Sequence, residues 1–303
     1  SIVSENYYNN MNPDSVHLIN SCTKTFVGML AGVAVGRGIL DPEKPVSDYL
    51  PELATSAWEG TTVRHLLDMT AGVAYGEDYT DPLADFWREA AVVGWKPELR
   101  SAALPETLLD YAASLEGKDQ QDGERFHYRT VTTNVIGLIL QKVMGSHLSD
   151  LLTDEIWARL ATRTDANVCV DKVGDLYMGA GMSASTRDLA CFGMMLANNG
   201  EFNGKQLIPA GWIDDTIAGV EHSPGDMLAS EYAALGIDHY RNQIWVRSRA
   251  GRTMMCLGIH GQIVFSDQKN DVVIVKLSTQ PEAVDVAMFM DTFAAMDAIA
   301  AHL

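Results

Sequence analysis

The sequence lacks the features that define several broad classes of protein. No apolar run approaches the length of a membrane-spanning helix, and no charged-then-apolar signal peptide opens the chain. Neither a His-Glu-x-x-His motif nor a closely spaced cysteine pair is present, so we expect no metal, redox centre or other cofactor. The Gly-x-Ser-x-Gly elbow is also absent, which leaves an α/β-hydrolase fold unsupported.

Cysteines and basic residues are both scarce. The four cysteines at 22, 169, 191 and 256 lie far apart, and a chain with a core this large does not depend on disulfides, so we expect buried thiols. The 22 basic residues face 40 acidic ones, which gives a net charge of −18. An acidic surface repels phosphate, so neither nucleic acid nor an anionic membrane is an expected partner. The charge says little about a small-molecule substrate, and the oligomeric state stays open.

The chain has ample material for a core. Of its 303 residues, 47% are hydrophobic, enough for one or two domains. Residues 1–8 already alternate like a strand, which leaves open that a segment with a targeting signal precedes them. The compartment is therefore unassigned, with the cytoplasm favoured.

The periodicity predicts a strand, many helices, a sheet and a final helix. Helices are predicted from residue 20 or 21 onward and over 63–69, 104–115, 130–143, 148–160, 185–197, 209–218 and 282–303. Short β-type runs at 243–246, 262–265 and 272–277 predict an antiparallel meander, and 70–104 is predicted to be a long irregular loop. We predict an α/β (α+β) fold: residues 1–20 and 200–303 form an antiparallel sheet flanked by helices, 21–199 form an inserted helical subdomain, and the whole is one compact catalytic unit.

The first candidate for chemistry is the stretch Ser21-Cys22-Thr23-Lys24. Residues i and i+3 share a helix face, so the Ser21 hydroxyl and the Lys24 amine can meet. A hydroxyl needs a neighbouring base to become a nucleophile, and a lysine in a dry site loses its proton more easily. Ser-x-x-Lys alone also fits a helix cap with a solvated lysine. The apolar residues that follow, Phe26-Val27-Gly28-Met29-Leu30, predict a buried helix and favour the functional interpretation.

Two further segments could complete such a site. Tyr128 precedes a predicted helix, and a phenol near a lysine can act as a general acid or base, although alone it fits a core tyrosine. Gly258 and Gly261 flank Ile259-His260 where a strand is predicted to begin. Glycines there allow close approach of a ligand, and a free N–H could form an oxyanion hole with the Ser21 N–H. For His260 a structural role is favoured over a catalytic one.

The order and spacing of these motifs resemble the serine β-lactamase and penicillin-binding-protein superfamily. Within it, the chain is most similar to the esterase-like branch that contains the nylon-oligomer (6-aminohexanoate-dimer) hydrolases. The resemblance covers nearly the whole chain, and its marks are Ser21-Cys22-Thr23-Lys24, Val63-Arg64-His65-Leu66-Leu67-Asp68-Met69, Glu77-Asp78-Tyr79-Thr80-Asp81-Pro82, Phe126-His127-Tyr128-Arg129, Thr186-Arg187-Asp188-Leu189-Ala190, Gly258-Ile259-His260-Gly261-Gln262 and Ile274-Val275-Lys276-Leu277-Ser278.

The resemblance implies a β-lactamase/transpeptidase-like fold and a role for each matched residue. Ser21 would be the acylated nucleophile, with Lys24 and Tyr128 handling its proton. The backbone N–H groups of Ser21 and Ile259 would form the oxyanion hole. The matched substrate-binding positions would be Tyr79, which closes over the substrate in the nylon-hydrolase branch, together with Thr130, Gly258 and His260.

The chain departs from this pattern at three places. Thr130 stands where related enzymes carry Asn or Ser, and the Lys-Thr-Gly box is absent, with Ile259-His260-Gly261 near its place. Gly179 offers no side chain where the nylon hydrolases hold the substrate amide. These departures favour a serine hydrolase of small carboxylic esters, with amides as a further class. A β-lactamase or D-amino-acid peptidase, and a non-catalytic penicillin-recognising module, are the alternatives.

Overall fold

The computed structural model describes residues 1–220 and 231–303, apart from the side chains of Glu231 and Ala233. The helices are α1 Thr23–Gly36, α2 Val46–Tyr49, α3 Val63–Leu67, α4 Asp85–Val92, α5 Leu108–Ala113, α6 Thr130–Met144, α7 Leu148–Glu155, α8 Thr186–Ala197, α9 Ala210–Ala218 and α10 Val286–His302. The strands are β1 Val16–Leu18, β2 Asn167–Val168, β3 Met182–Ser185, β4 Glu201–Phe202, β5 Lys205–Gln206, β6 His239–Arg241, β7 Ile244–Ser248, β8 Thr253–Gly258, β9 Gln262–Asp267 and β10 Val272–Lys276.

The largest sheet has five antiparallel strands in the order β10-β9-β8-β7-β6. Every residue of β8 and β9 is buried, so this central pair is covered on both faces. Met254 and Cys256 belong to a large core with α1 and α8, whereas Met255 and Leu257 belong to a second core with α10. Alternate residues of a strand point to opposite faces, so the sheet separates two helical layers. This arrangement confirms the predicted α+β class.

The prediction that both ends of the chain contribute strands to this sheet is wrong for the described residues. Residues 1–8 form no strand, and β1 begins only at Val16. It pairs with β3 in a separate sheet of order β1-β3-β2, with Val16 opposite Ser185. The residues that lead into the predicted helix at 185–197 are therefore strand β3. β1 has only three residues, and its partner strand lies far along the chain. The local sequence therefore shows too little alternation of apolar and polar residues to predict this strand.

Other differences have equally local causes. The region 70–104, predicted to be irregular, contains the two-turn helix α4. Strands β6 and β8 were not predicted. β8 is apolar without alternation because both of its faces are buried, and such a run does not show the period of a half-exposed strand.

The helices at 63–67, 130–144 and 186–197 confirm their predictions, with Thr62 and Ser185 as N-caps of the first and third. The division into 1–20 plus 200–303 and 21–199 stays a prediction.

Helix α1 runs through the centre of the larger core. All residues from Thr23 to Ala34 are buried. Two glycines allow neighbours to approach its backbone: a Cβ at Gly28 would lie 2.1 Å from the Asn242 carbonyl oxygen, and one at Gly32 would lie 2.4 Å from the Trp212 ring. The turn before β7 can therefore reach α1, where the Thr25 hydroxyl donates to the Gln243 carbonyl at 3.1 Å.

Among the described residues, the longest helix is α10 with 17 residues. No single helix is both long and apolar enough to span a bilayer. Only α6 taken together with 148–160 passes that test, and the two are bent by 81° at their break.

The tight contact at Gly28 predicts a large effect from a small substitution. Gly28→Ala should lower the free energy of unfolding by about 1–3 kcal/mol, because the new methyl group overlaps backbone atoms that cannot rotate away. Gly211→Ala in α9 is the matched control: no atom lies within 4 Å of the position that its methyl group would take, so the change should raise stability by up to about 1 kcal/mol. Urea denaturation of the two variants beside the wild type measures both. Equal stability of the two variants would contradict this packing.

Candidate active site

Ser21 and Lys24 lie where a short 3₁₀ turn leads into α1. The turn spans Asn20–Cys22 and continues directly into α1 at Thr23. The Lys24 Nζ lies 2.8 Å from the Ser21 Oγ, as the i, i+3 spacing predicts. Ser21 is 7% exposed and Lys24 1% exposed. The serine thus opens to the surface while the amine beside it is shielded from water.

The Lys24 amine has three hydrogen-bond partners. Besides Ser21, they are the Thr130 Oγ1 at 2.9 Å and the Gly179 carbonyl oxygen at 2.6 Å. Burial lowers the Lys24 pKa from its ordinary 10.5 to about 8, although the negative charges of Glu77 and Glu89 act against this shift. A substantial fraction of the lysine is therefore neutral just above pH 7, and a neutral amine can accept a proton.

Tyr128 lies beside the same amine. The Lys24 Nζ is 4.8 Å from the centre of the Tyr128 ring, and the ring stacks on Trp245 at 5.4 Å. Burial raises the Tyr128 pKa well above its ordinary value of 10, with Tyr240 and Glu77 adding to the rise and a hydrogen bond with Ser21 opposing it. The phenol is therefore protonated at neutral pH, where it can donate a proton.

The turn at Ile259 faces the start of the 3₁₀ turn that carries Ser21. The Asn20 amide donates to the Ile259 carbonyl at 2.9 Å, and a Cβ at Gly258 would lie 2.4 Å from the Ile19 carbonyl oxygen. Gly258 is the last residue of β8, and β9 begins at Gln262, so this stretch lies at the entry to a strand, as predicted. Within the described residues, neither the Ser21 N–H nor the Ile259 N–H donates to a protein acceptor. Their joint role as an oxyanion hole stays a prediction that this arrangement suits.

A groove opens above Ser21. Apart from the serine, its described walls are aromatic and aliphatic side chains and the Gly258 backbone, and none of them is charged: Tyr79, Tyr128, Tyr232, Leu235, Trp245, Leu257, Ile259, Val284 and Phe289. Across the described ranges, no group of three or more His, Cys, Asp or Glu is placed to hold a metal ion. The groove suits an uncharged acyl group.

The predicted substrate-binding residues divide into two pairs. Tyr79 and Gly258 line the groove beside Ser21. Thr130 is fully buried, and its hydroxyl lies between Lys24 and Glu77. The His260 ring bonds the Gln280 carbonyl at 2.8 Å, and His260 is absent from the groove walls. For these two residues, direct contact with substrate stays a prediction.

The prediction missed two acidic residues close to Lys24. Glu77 accepts hydrogen bonds from Thr130 and Tyr79. Glu89, on α4, is fully buried and accepts from Tyr75 and Asn134; burial raises its pKa to about 7. Glu77 belongs to the stretch 77–82, which is one of the marks of the family resemblance. This membership is the one signal in the sequence that could have pointed to a role for Glu77. Glu89 lies in the region predicted to be a loop, where nothing marks it as buried.

The comparisons with known proteins agree with this geometry. The profile of the family described as Beta-lactamase matches residues 1–295. A 6-aminohexanoate-dimer hydrolase of Paenarthrobacter ureafaciens is 31% identical over 307 residues, which cover 98% of this chain and 76% of that protein. A Bacillus anthracis structure, whose assignment as a 6-aminohexanoate-dimer hydrolase is provisional, has 26% identity and a TM-score of 0.85 over 99% of this chain and 76% of its own. A family VIII carboxylesterase shares the fold at 16% identity and a TM-score of 0.65, over 93% of this chain and 84% of its own.

The fold and the site together define a chain of the β-lactamase/transpeptidase class. The chain belongs to the beta-lactamase family. The predicted resemblance to that superfamily, and to its branch with the 6-aminohexanoate-dimer hydrolases, is confirmed.

The shifted pKa of Lys24 predicts how the reactivity of Ser21 depends on pH. A fluorophosphonate should label Ser21 at a rate that rises with pH through a midpoint near 8, since only the neutral amine can take the serine proton. Lys24→Met should remove this titration and nearly all of the labelling. Peptide mass spectrometry of quenched time points at each pH measures the rate. A wild-type midpoint near 10 would contradict the account.

Proposed function

We propose that this protein is a serine hydrolase that cleaves small carboxylic esters through an acyl-enzyme on Ser21. The observation that carries the proposal is the 2.8 Å contact between the buried Lys24 amine and the Ser21 hydroxyl. Among the described groove walls, Ser21 is the only residue whose side chain has an oxygen that is not a phenol. Amides are the second substrate class, supported by the 31% identity with a 6-aminohexanoate-dimer hydrolase over nearly the whole chain.

In the first step of this mechanism, the neutral Lys24 amine takes the Ser21 hydroxyl proton. The Ser21 Oγ then forms a bond to the carbonyl carbon, and the carbonyl oxygen becomes an oxyanion that accepts from the N–H groups of Ser21 and Ile259. As the bond to the leaving alkoxide breaks, the Tyr128 hydroxyl donates its proton to the alkoxide, and the Lys24 ammonium returns a proton to Tyr128. The direction of transfer follows from the raised pKa of Tyr128 and the lowered pKa of Lys24.

In the second step, a water molecule enters in place of the departed alcohol. The neutral Lys24 amine takes one of its protons, directly or through Tyr128, and the resulting hydroxide attacks the acyl carbon. Collapse of the second oxyanion breaks the Ser21 ester bond, and the serine recovers its proton from Lys24. The free carboxylic acid then leaves the groove.

The walls of the groove favour esters over the charged substrates of related enzymes. Among the described lining residues there is no lysine or arginine that could pair with the carboxylate of a β-lactam. At Gly179 only the backbone is available, and its carbonyl is already bound to Lys24, so the amide of a nylon oligomer finds no side chain there. An ester with an uncharged acyl chain needs neither contact.

A short p-nitrophenyl ester series tests this proposal. We expect hydrolysis by the wild type, and a loss of at least about a thousandfold in Ser21→Ala because the covalent route is removed. The 6-aminohexanoate linear dimer and a chromogenic cephalosporin should react more slowly than the best ester. The control is Ser101→Ala, which removes an exposed serine hydroxyl from a loop and should react like the wild type. Equal rates for Ser21→Ala and wild type would refute the assignment of the nucleophile.

A further inference from the structure

Glu77 is a part-buried carboxylate that accepts three hydrogen bonds from two residues. Its Oε2 accepts from the Thr130 N–H at 2.6 Å. Its Oε1 accepts from the Thr130 hydroxyl at 2.7 Å and from the Tyr79 hydroxyl at 2.8 Å. One of these partners contacts Lys24 and the other lines the groove, so Glu77 joins the base to the substrate side of the site.

The Thr130 hydroxyl has one proton, which fixes the direction of its two hydrogen bonds to Glu77 and Lys24. It donates this proton to Glu77, and its oxygen is therefore free to accept from the Lys24 Nζ at 2.9 Å. The carboxylate thus holds the Thr130 hydroxyl in the orientation in which its oxygen accepts a hydrogen bond from Lys24. An uncharged amide at position 77 could not do this: its oxygen would have to accept from the Thr130 N–H, so its NH₂ group would face two hydroxyls.

Glu89 reaches Lys24 by a longer route. Asn134 donates to Glu89 at 2.7 Å and accepts from the Gly179 N–H at 2.8 Å, and the Gly179 carbonyl then accepts from Lys24. This arm fixes the backbone on one side of the amine. Among the described residues it makes no hydrogen bond to the Thr130 hydroxyl and forms no wall of the groove, so Glu77 is the one of these two carboxylates that couples the lysine to Tyr79.

We propose that Glu77 is a positioning residue for the reaction: through Thr130 it holds the Lys24 amine against Ser21, its charge helps to set the protonation of that amine, and through Tyr79 it fixes one wall of the groove. This inference rests on the proposed serine-hydrolase function. It goes beyond that function because it assigns a role to a carboxylate that takes no part in the acyl transfer itself.

The charged and titratable groups around Lys24 come from four segments of the chain. Glu77 lies in the loop before α4, Glu89 on α4, Tyr128 before α6, and Cys22 on the turn that leads to α1. Burial lowers the Lys24 pKa, and the negative charges of Glu77 and Glu89 raise it, with Glu77 the larger of the two. Burial raises the pKa of the Cys22 thiol well above its ordinary value, so Cys22 carries no charge near neutral pH. Loss of the Glu77 charge should therefore lower the Lys24 pKa still further.

The sharpest test is the pH profile of Ser21 labelling by a fluorophosphonate. In this reaction the Ser21 Oγ–P bond forms as the P–F bond breaks, fluoride leaves, and the base takes the serine proton. In Glu77→Gln we expect the midpoint of the rate to move to lower pH by roughly one unit or more, because the ammonium form loses the negative charge that stabilises it most. The limiting rate at high pH should fall by about 10- to 100-fold, because the lysine loses its ordered acceptor.

Two variants separate charge from position. Glu77→Asp keeps the charge but is one methylene too short to span Thr130 and Tyr79, so its midpoint should stay near that of the wild type while its limiting rate falls. Asp78→Asn is the matched control, since it removes the same charge from the exposed neighbouring residue of the same loop and should change neither quantity. Thermal unfolding checks that each variant is folded. If a variant is not folded, Thr130→Val is used in its place. Thr130→Val removes the hydroxyl that links Glu77 to Lys24, and it should show the same loss of limiting rate.

The outcomes distinguish this inference from the function on which it rests. If the wild type labels at Ser21 and Glu77→Gln, or Thr130→Val in its place, keeps the wild-type limiting rate, the role of Glu77 is refuted and the serine hydrolase stands. A fall in rate with no change of midpoint in Glu77→Gln would refute its role in the charge of Lys24. If the wild type fails to label at Ser21, the proposed function itself fails.

Discussion

The site depends on one physical constraint, the burial of a lysine amine among neutral acceptors. Lys24 is 1% exposed, and the atoms it touches, those of Ser21, Thr130 and Gly179, carry no formal charge. Removal from water makes the ammonium expensive, and this cost is what turns an ordinary lysine into a base near neutral pH. The carboxylates of Glu77 and Glu89 moderate this cost from further away, Glu77 beyond Thr130 and Glu89 beyond Gly179 and Asn134.

The fold meets this constraint by bringing distant segments of the chain to the start of one helix. α1 is buried from Thr23 to Ala34, so any charged group at its start is shielded from water. The segment that leads into α6 supplies Tyr128 and, as the first residue of the helix, Thr130. The turn between β8 and β9 supplies Ile259, whose carbonyl accepts from the Asn20 amide. For the proposed reaction this arrangement is preorganised, because each group that is proposed to react is held by a hydrogen bond or a packed ring before any substrate arrives.

The sequence was sufficient for the fold class and for the groups that a motif carries. Ser21, Lys24 and Tyr128 stand in short patterns, and the structure brings them together as predicted. Local periodicity also predicted the long helices well, but it could not show that β1 pairs with β3 or that β8 is buried on both faces. Glu89 and Asn134 are linked to Lys24 through the Gly179 backbone by contacts that exist only in the folded chain, and such contacts leave no pattern in a single sequence.

The measurement that tests this account most directly is the pKa of Lys24 itself. The protein would be prepared with lysine labelled with ¹³C at Cε, and the signal that disappears in Lys24→Met would be followed by NMR as the pH changes. The account predicts a pKa of about 8 for Lys24, well below the ordinary value of 10.5 for a lysine. A value near the ordinary 10.5 would show that the amine remains an ammonium at neutral pH, and Lys24 could then not be the base that activates Ser21.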